Sequence, residues 1–338
     1  MPHTPYVVFF NGSEGTLKIK PITFIKTAVS VCLLILVFTH INFAQAWNQC
    51  QNLSLPFIIF ALLYYTGCQV LSCIRWQVVL NSSGHSAPMS SLISSYFAGM
   101  FLNIFLPGAL GGDAYRIYRV AKHTKDSEVA LVSVFLERFT GLAALSGLAL
   151  LGLPPAFRLI GRWDIILLFL GCVASLVGAV LLISSPKLLI LAEPWLEKFN
   201  LSRLAARFAK IQILLRKFAQ HPQALALSMG LSLILQLGIV YYHYLIAQQL
   251  KIPISYLQLL VFVPIIVVVT LLPISLGGLG LKEGLWIYLF SRIGLSAEQA
   301  LLLSVVITAL SWLLSLPGSL ILLLDSTGFQ QVRKGDGG

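Results

Sequence analysis

Two similar stretches of sequence decide the fold. Residues 103–116 read NIFLPGALGGDAYR, and residues 272–284 read LPISLGGLGLKEG. Each contains Leu-Pro, then Leu-Gly-Gly after two further residues, then a basic residue, which is Arg116 in the first stretch and Lys282 in the second. Proline and glycine disfavour helix interiors. Because each stretch follows an apolar run of sequence, both predict a break between two helical arms.

The composition places these breaks in a membrane. The 338 residues are 57% hydrophobic and 10% charged, and the mean hydropathy is +0.87, whereas a soluble domain is about 25% charged. This balance excludes a soluble globular enzyme, a disordered protein and a collagen-like chain. It predicts an all-α polytopic membrane protein. The net charge of +11 is explained by basic residues in cytoplasmic loops that set the membrane topology and contact anionic lipid head groups. No nucleic-acid partner is expected.

Six apolar segments are long enough for a full crossing, which takes about 20 residues. These predicted transmembrane helices are 22–43, 54–80, 127–152, 163–184, 222–248 and 297–324. The first segment also fits a secretory signal sequence, because lysines precede it and Ala-Gln-Ala follows at 44–46. We favour an uncleaved helix, since the apolar run is long and further spans follow.

Two more apolar segments, 89–106 and 254–292, are predicted to form re-entrant helical hairpins that enter the membrane and return. If 89–106 returns, 17 of the 23 lysines and arginines lie on one face, as the positive-inside rule requires. That cytoplasmic face then holds both tails, 1–21 and 326–338. It also holds the segment 186–221, whose amphipathic pattern fits either an interfacial helix on anionic lipid or a solvated linker helix.

The two hairpins predict an internal repeat. The break motifs lie 166 residues apart, and the neighbouring apolar segments recur at nearly the same offset. Repeat one covers 54–152 and repeat two covers 222–324, within a membrane domain of 22–325. Three full crossings separate the copies, and an odd number inverts the second copy relative to the first. Inverted repeats with broken helices are typical of secondary transporters.

Charged residues inside apolar segments are candidates for function. Glu137 and Arg138 lie near the middle of segment 127–152. A charge facing lipid there costs about 3 kcal/mol, so we expect both side chains to face the interior. Lys282 is a candidate partner for Glu137. Asp113 or a substrate phosphate is the candidate partner for Arg138, and the alternative for this group of charges is a structural ion pair that locks the bundle.

The break motifs predict an anion site. A helix that starts after Gly111 and Gly112 offers free backbone N–H groups to an anion, with Arg116 one turn further on. The second motif offers the same from the opposite side. The predicted substrate-binding residues are Gly111, Gly112, Asp113, Arg116, Arg138, Gly277, Gly278 and Lys282, and the predicted gating or ion-coupling residues are Glu137 and Glu283. The alternatives are an N-cap role for Asp113 and tight helix packing at the glycines.

The sequence offers no motif for a metal, a cofactor or a catalytic residue. The five cysteines and six histidines have neither metal-ligand nor redox spacing. Nucleotide-binding loops and nucleophile elbows are absent from the sequence. We therefore expect neither a cofactor nor a bound metal.

Three motifs together resemble a known family. The stretches 103–116 and 272–284, with Phe-Leu-Glu-Arg at 135–138, resemble the flippase-like transmembrane domain of lysylphosphatidylglycerol synthases, over residues 20–325. The resemblance implies a membrane domain that moves aminoacylated lipid. In the full-length synthases a separate soluble domain transfers lysine from tRNA, and this sequence leaves no room for it, so a stand-alone member is expected. Other members of the wider group accompany glycolipid, hopanoid or polyprenyl-phosphate pathways.

The sequence therefore favours a flippase or transporter of the cytoplasmic membrane. Its expected substrate is an anionic or aminoacylated phospholipid, a glycolipid or a polyprenyl-phosphate lipid, recognised by its anionic head group. Two alternatives stay open. One is a membrane-embedded lipid transferase with Glu137 or Asp113 as general base. The other is an accessory subunit of a lipid-modifying enzyme, and the expected protein partner is either a second copy of the chain or such an enzyme.

Overall fold

The computed structural model describes residues 51, 53–105, 110–151, 202–270 and 280–325, with isolated helical positions between 167 and 178. Regular structure in this part of the chain is entirely helical. The helices are α1 (Leu55–Ser82), α2 (Met89–Phe105), α3 (Leu110–Thr124), α4 (Ser127–Leu151), α5 (Ser202–Ala219), α6 (Pro222–Gln249), α7 (Tyr256–Thr270), α8 (Leu281–Ser291) and α9 (Ala297–Ser315). After a turn at Leu316 the chain is helical again up to Asp325.

Four of the described helices are long and apolar enough to cross a membrane. They are α1, α4, α6 and α9 with its continuation to Asp325, and they have between 25 and 29 residues. At 1.5 Å per residue each is longer than the roughly 30 Å of a hydrocarbon core. Four of the six predicted crossings are thereby confirmed as helices of membrane length. The predicted crossing 22–43 lies outside the described residues, and 163–184 is described only at isolated positions.

Helix starts coincide with capping side chains in the sequence. Ser54 precedes α1 and accepts a hydrogen bond from the backbone N–H of Phe57. Asp126 precedes α4, and its Oδ1 accepts from the N–H groups of Glu128 and Val129 at 3.0 and 3.1 Å. These side chains satisfy N–H groups that a helix leaves free at its first turn.

The short helices α2 and α3 run antiparallel. Ser91 near the start of α2 contacts His123 near the end of α3, with 2.8 Å between Oγ and Nε2. At the other end, Asn103 accepts a hydrogen bond of 2.9 Å from the N–H of Gly112. The predicted break falls between these helices, and residues 106–109 that connect them lie outside the described residues.

Helices α7 and α8 are the corresponding short helices in the second half of the chain. The rings of Phe262 and Phe290 are 6.2 Å apart, while Thr270 at the end of α7 and Lys282 at the start of α8 line one cavity. The two helices therefore also run antiparallel. Residues 271–279, which hold most of the second break motif, lie outside the described residues.

Helices α1 and α6 pack along each other in opposite directions. The hydroxyl of Tyr64 donates to the carbonyl of Gly238 at 3.1 Å, and further along α1 Arg75 donates to Ser232 at 3.0 Å. Helix α4 packs against α1, α3, α6 and α7. It is the element that carries Glu137, so this carboxylate lies at the centre of the described bundle.

The amphipathic helix α5 packs against the bundle. Leu215 and Phe218 of its apolar stripe are buried in a cluster with Val79 of α1 and Val132 and Leu136 of α4. On its polar side, Lys210 contacts Asp126 and Glu128 at the start of α4. The described part of the stripe thus covers protein, and the first part of the predicted segment 186–221 lies outside the described residues.

Candidate functional site

Glu137 is the centre of a buried cluster of charges. It lies ten residues after the start of α4, which is about 15 Å along the helix axis, and it is 1% exposed. Its Oε1 accepts a hydrogen bond from Arg75 of α1, and its Oε2 accepts one of 2.9 Å from Arg116 of α3. One carboxylate therefore holds two guanidinium groups from two other helices.

Aromatic rings enclose Arg116. Its guanidinium carbon lies 4.2 Å from the ring centre of Trp76 and 4.5 Å from that of Tyr96. Both distances are within the range of cation–π attraction, which is stronger where water is excluded. Trp76 is itself fixed by a 3.1 Å hydrogen bond from its Nε1 to Ser133 of α4. The rings partly replace the hydration that burial removes from the arginine.

Arg75 is held by small polar residues and by a glycine. Its Nη1 donates to Ser232 of α6 at 3.0 Å. The neighbouring Ser228 donates to Thr140 of α4 at 3.2 Å, so hydroxyl groups line this side of the cluster. Gly141 leaves the space that the guanidinium occupies, since a Cβ there would lie 2.8 Å from Nη1 of Arg75.

Asp113 and Arg138 extend the cluster towards its exposed edge. Nε of Arg138 pairs with Oδ2 of Asp113, and Nη1 of Arg116 lies 3.5 Å from Oδ1 of the same carboxylate. The side chain of Arg138 is 44% exposed, whereas those of Arg75 and Arg116 are 5% exposed. The cluster therefore runs from the core of the bundle to an accessible arginine.

The cluster carries more positive than negative charge. It contains three guanidinium groups and two carboxylates. In addition, Nε of Arg75 and Nε of Arg116 are buried without a hydrogen-bond partner among the residues that the structure describes. A buried positive excess with unused donors is an environment that favours an anion.

The structure corrects one predicted contact and excludes one alternative role. Glu137 does not pair with Lys282, because Arg75 and Arg116 occupy both of its oxygens. Asp113 is not the N-cap of its helix, because α3 begins at Leu110 and Asp113 lies in its first turn. The predicted contact of Arg138 with Asp113 is confirmed. The expectation that the side chains of Glu137 and Arg138 both face the interior is right for Glu137, which is 1% exposed, and wrong for Arg138, which is 44% exposed. The sequence does not show which helices pack together.

Gly111 and Gly112 lie inside the first turn of α3 and not before it. The N–H of Gly112 is already bonded to Asn103, so this group is not free for an anion. A Cβ at position 112 would overlap the carbonyl oxygen of Gly99 on α2. At Gly112 the alternative of tight helix packing therefore describes the geometry.

The predicted site residues of the second half form a separate group. Nζ of Lys282 donates to Oγ1 of Thr308 at 2.6 Å and lies 3.3 Å from Oε1 of Glu283. The other oxygen of Glu283 accepts from the N–H of Gly280 at 2.8 Å, where the backbone has a φ of +79°. Gly277 and Gly278 lie outside the described residues. Between described residues, neither an ion pair nor a hydrogen bond joins this group to the Glu137 cluster.

Arg75 is the functional candidate that the sequence analysis missed. Arg75 is one of the 17 basic residues that the positive-inside rule assigns to the cytoplasmic face, yet it is 4% exposed and pairs with Glu137. The signal was present, because Arg75 lies inside the apolar segment 54–80 and not after it. In the described part of the chain, moreover, histidine, cysteine, aspartate and glutamate form no group of three that could hold a metal.

Helices of membrane length around a buried cluster of charges define a multi-pass membrane protein. The chain belongs to the lysylphosphatidylglycerol synthase TM region family, whose model matches residues 23–318. It is also 22% identical over 319 residues to the UPF0104 membrane protein PH1989 of Pyrococcus horikoshii, an alignment that covers 87% of this chain and 95% of that protein. The family resemblance of the sequence motifs is thereby confirmed, and the relative is a membrane protein of similar length.

Proposed function

We propose that the protein is a transporter that moves a lipid with an anionic head group across the cytoplasmic membrane. The observation that carries the proposal is the buried cluster around Glu137, with its excess of positive charge and its accessible Arg138. Intramembrane ionisable residues mark substrate and ion pathways in membrane proteins. Both chain termini lie on the cytoplasmic side in this proposal, as the distribution of lysine and arginine favours.

The proposal includes an inverted repeat of α1–α4 and α6–α9. Three observations support it. Each half has a long helix, two short helices and a second long helix, in that order. The packing is reciprocal as well, since α2 contacts α9 and α7 contacts α4, while α1 and α6 contact each other. Finally, each break motif covers the junction between the two short helices of its half.

In this proposal the short helices form re-entrant hairpins from opposite sides. Helix α2 starts seven residues after the end of α1, and α7 starts seven residues after the end of α6. Because α1 and α6 are antiparallel, their ends lie at opposite ends of the bundle. Each hairpin therefore has its base at a different membrane surface, as alternating access between two sides requires.

The head group enters at Arg138 in the proposed mechanism. A phosphate displaces the carboxylate of Asp113 from Arg138, and the positive excess of the cluster compensates its charge. The acyl chains stay in lipid while the head group moves through the polar interior. This division keeps the phosphate out of hydrocarbon, where an unpaired charge is very costly.

Transport in liposomes tests the proposal. The purified protein is reconstituted with fluorescent phosphatidylglycerol, and a membrane-impermeant reductant bleaches the label in the outer leaflet. We expect the wild type to expose inner-leaflet label faster than empty liposomes do. Arg138→Gln should slow this by about tenfold, because a hydrogen bond to a charged group contributes about 1.5–3 kcal/mol.

The matched control is Arg292→Gln. Arg292 is an exposed arginine on Tyr288 at the other end of the bundle, so its loss should leave the rate unchanged. Equal rates for Arg138→Gln and wild type would remove the assignment of the head-group site. Recovery of a covalently altered lipid would instead favour the transferase alternative.

A further inference from the structure

A small cavity with a few polar side chains lies between the helices of the second half, away from the Glu137 cluster. It has a volume of about 80 Å³ and is lined from four helices, by His243 of α6, Thr270 of α7, Lys282 and Trp286 of α8 and Ser304 of α9 among others. One water molecule requires about 10–15 Å³ of such space. The lining is mostly apolar, and the cavity has room for water beside the polar side chains of His243, Thr270, Lys282 and Ser304.

His243 is fixed in this cavity with one nitrogen unused. Its Nδ1 lies 2.7 Å from the carbonyl oxygen of Ile239, one turn earlier on α6. A carbonyl only accepts, so Nδ1 carries the hydrogen and neutral His243 has a free lone pair on Nε2. Nε2 has no hydrogen-bond partner among the residues that the structure describes. The imidazole stacks on the indole of Trp286, with 6.0 Å between ring centres and 17° between planes.

The charged groups near His243 are those of Lys282 and Glu283 on α8. These two charges compensate each other at 3.3 Å. On α6 the neighbouring titratable side chains are those of Tyr242, whose ring meets the imidazole edge-on, and Tyr244. Helix α1, which packs along α6, adds Tyr64 and Tyr65, whose rings stack on Tyr242 and are neutral. The cavity residues contributed by α7 and α9 are Val263, Ile266, Val267, Thr270, Ser304 and Ile307, and none of them titrates. Protonation of His243 would therefore change the charge of a pocket that is otherwise neutral.

We infer that this cavity is a proton-binding site, in which Nε2 of His243 takes up a proton from cavity water and couples lipid movement to protons. The coupling rests on the proposed transport function, but the protonation site does not. The proton arrives from water at Nε2, converts the imidazole to imidazolium and leaves by the same nitrogen. The positive charge gained on His243 repels the nearby ammonium group of Lys282 and weakens the side-chain contact of His243 with α8, and this links proton uptake to movement of the second hairpin.

Tryptophan fluorescence of the purified protein tests the protonation site without any transport. An imidazolium stacked on an indole quenches its emission, so we expect emission to fall as the pH falls. The scan runs from about pH 8 to about pH 3, a range that extends more than three units below the ordinary imidazole pKa of about 6.5. His243→Gln and Trp286→Phe should each remove this pH-dependent fall in emission. The second variant removes the reporting indole and leaves His243 in place. A wild type without this fall, or a fall that survives in Trp286→Phe, overturns the inference.

Two variants that each remove one nearby charge should shift the pH midpoint of this fluorescence change in opposite directions. Lys282→Met removes a nearby positive charge and should raise the midpoint by about one pH unit. Glu283→Gln removes the negative charge and should lower the midpoint. Shifts of the same sign in both variants would mean that the titrating group is not beside this ion pair, which overturns the assignment to His243.

Transport with and without a proton gradient tests the coupling. The rate of lipid movement with the gradient, divided by the rate without it, should exceed one in the wild type and fall to one in His243→Gln. Lipid movement with a ratio of one in the wild type overturns the coupling while the proposed function stands. A pH transition at Trp286 in a protein that moves no lipid has the opposite meaning: it supports the protonation site and overturns the proposed function.

Discussion

Arg116 donates a 2.9 Å hydrogen bond to Glu137 in an environment where both side chains are at most 5% exposed. The second oxygen of Glu137 is taken by Arg75. Because the three residues belong to α3, α4 and α1, one carboxylate ties a short helix of the first half to two helices of membrane length. This tie is both a structural element of the bundle and the core of the proposed anion site.

Removing the carboxylate should destabilise the protein strongly. Glu137→Gln leaves two buried guanidinium groups without their counter-charge, and breaking a buried ion pair costs about 3–5 kcal/mol. We expect a clear fall in the thermal unfolding midpoint of the protein in detergent. A double-mutant cycle tests whether the two arginines share Glu137. If they do, Arg75→Met should lower the free energy of unfolding less in the Glu137→Gln variant than in the wild type. Additive effects in this cycle would contradict a shared carboxylate.

The sequence predicted the burial of Glu137, but it also placed Arg138 in the interior, where the structure leaves it 44% exposed, and it did not predict that Arg75 pairs with Glu137. Glu137 and Arg138 stood out because charges inside a long apolar segment have to avoid lipid. Their partners depend on which helices pack together, and an apolar helix surface carries little information about its neighbour. The contact of α1 with α4 brings Arg75 to Glu137, and neither helix has a sequence feature that specifies this contact.

The break motifs predicted an interruption of the helix but not the role of its glycines. The motif at 103–116 predicted an interruption, and α2 does end at Phe105 with α3 starting at Leu110. It did not distinguish a glycine that exposes its N–H from a glycine that lets two helices approach. Only the position of α2 decides this at Gly112, because the space for a Cβ is filled by Gly99 and Asn103. The equivalent glycines 277 and 278 stay a prediction.

Gly112→Ala should separate α2 from α3. The new Cβ would overlap the carbonyl oxygen of Gly99 and lie 2.6 Å from Oδ1 of Asn103. Overpacking of this kind costs about 1–3 kcal/mol, which the unfolding midpoint in detergent measures. The control is Gly147→Ala in α4, where nothing lies within 4 Å of the new Cβ and higher helix propensity should make the change neutral or stabilising. Equal effects of the two substitutions would show that α2 and α3 do not approach closely at Gly112.

The contact of α5 with α4 should weaken in acid. Burial alone raises the pKa of Asp126, but hydrogen bonds from Lys210 and from the N–H of Val129 outweigh it, so the pKa lies below its ordinary value of 3.8. A lowered pKa in the folded state means that the ionised carboxylate stabilises the fold above the unfolded value. This contribution is lost as the pH falls from about 4 through the lower folded value.

Asp126→Asn isolates the ion pair, because asparagine keeps the N-cap of α4. Above about pH 5 the variant should unfold at a lower temperature than the wild type, by about 1 kcal/mol or less for a partly exposed pair. The difference should disappear in strong acid, where the wild-type carboxyl is protonated. Lys210→Met should remove the same pH-dependent difference. A constant difference at all pH values would assign the effect of Asp126→Asn to the cap and not to Lys210.

The end of α9 should depend on a charge pair with α3. After the turn at Leu316 the last helical turns are held at Asp325, whose two oxygens accept from Arg119 at 2.8 Å and from Tyr115 at 3.1 Å. Arg119→Asp and Asp325→Arg should each lower the unfolding midpoint, because like charges then face each other. The double variant restores an opposite pair in the same place, so it should recover most of the loss.

Recovery is the decisive result, since two independent surface effects would add. The site is partly buried, with 22% and 18% of the side chains exposed, so the coupling should reach about 1 kcal/mol. A double variant as unstable as the sum of the single variants would mean that Arg119 and Asp325 do not hold the end of α9 against α3.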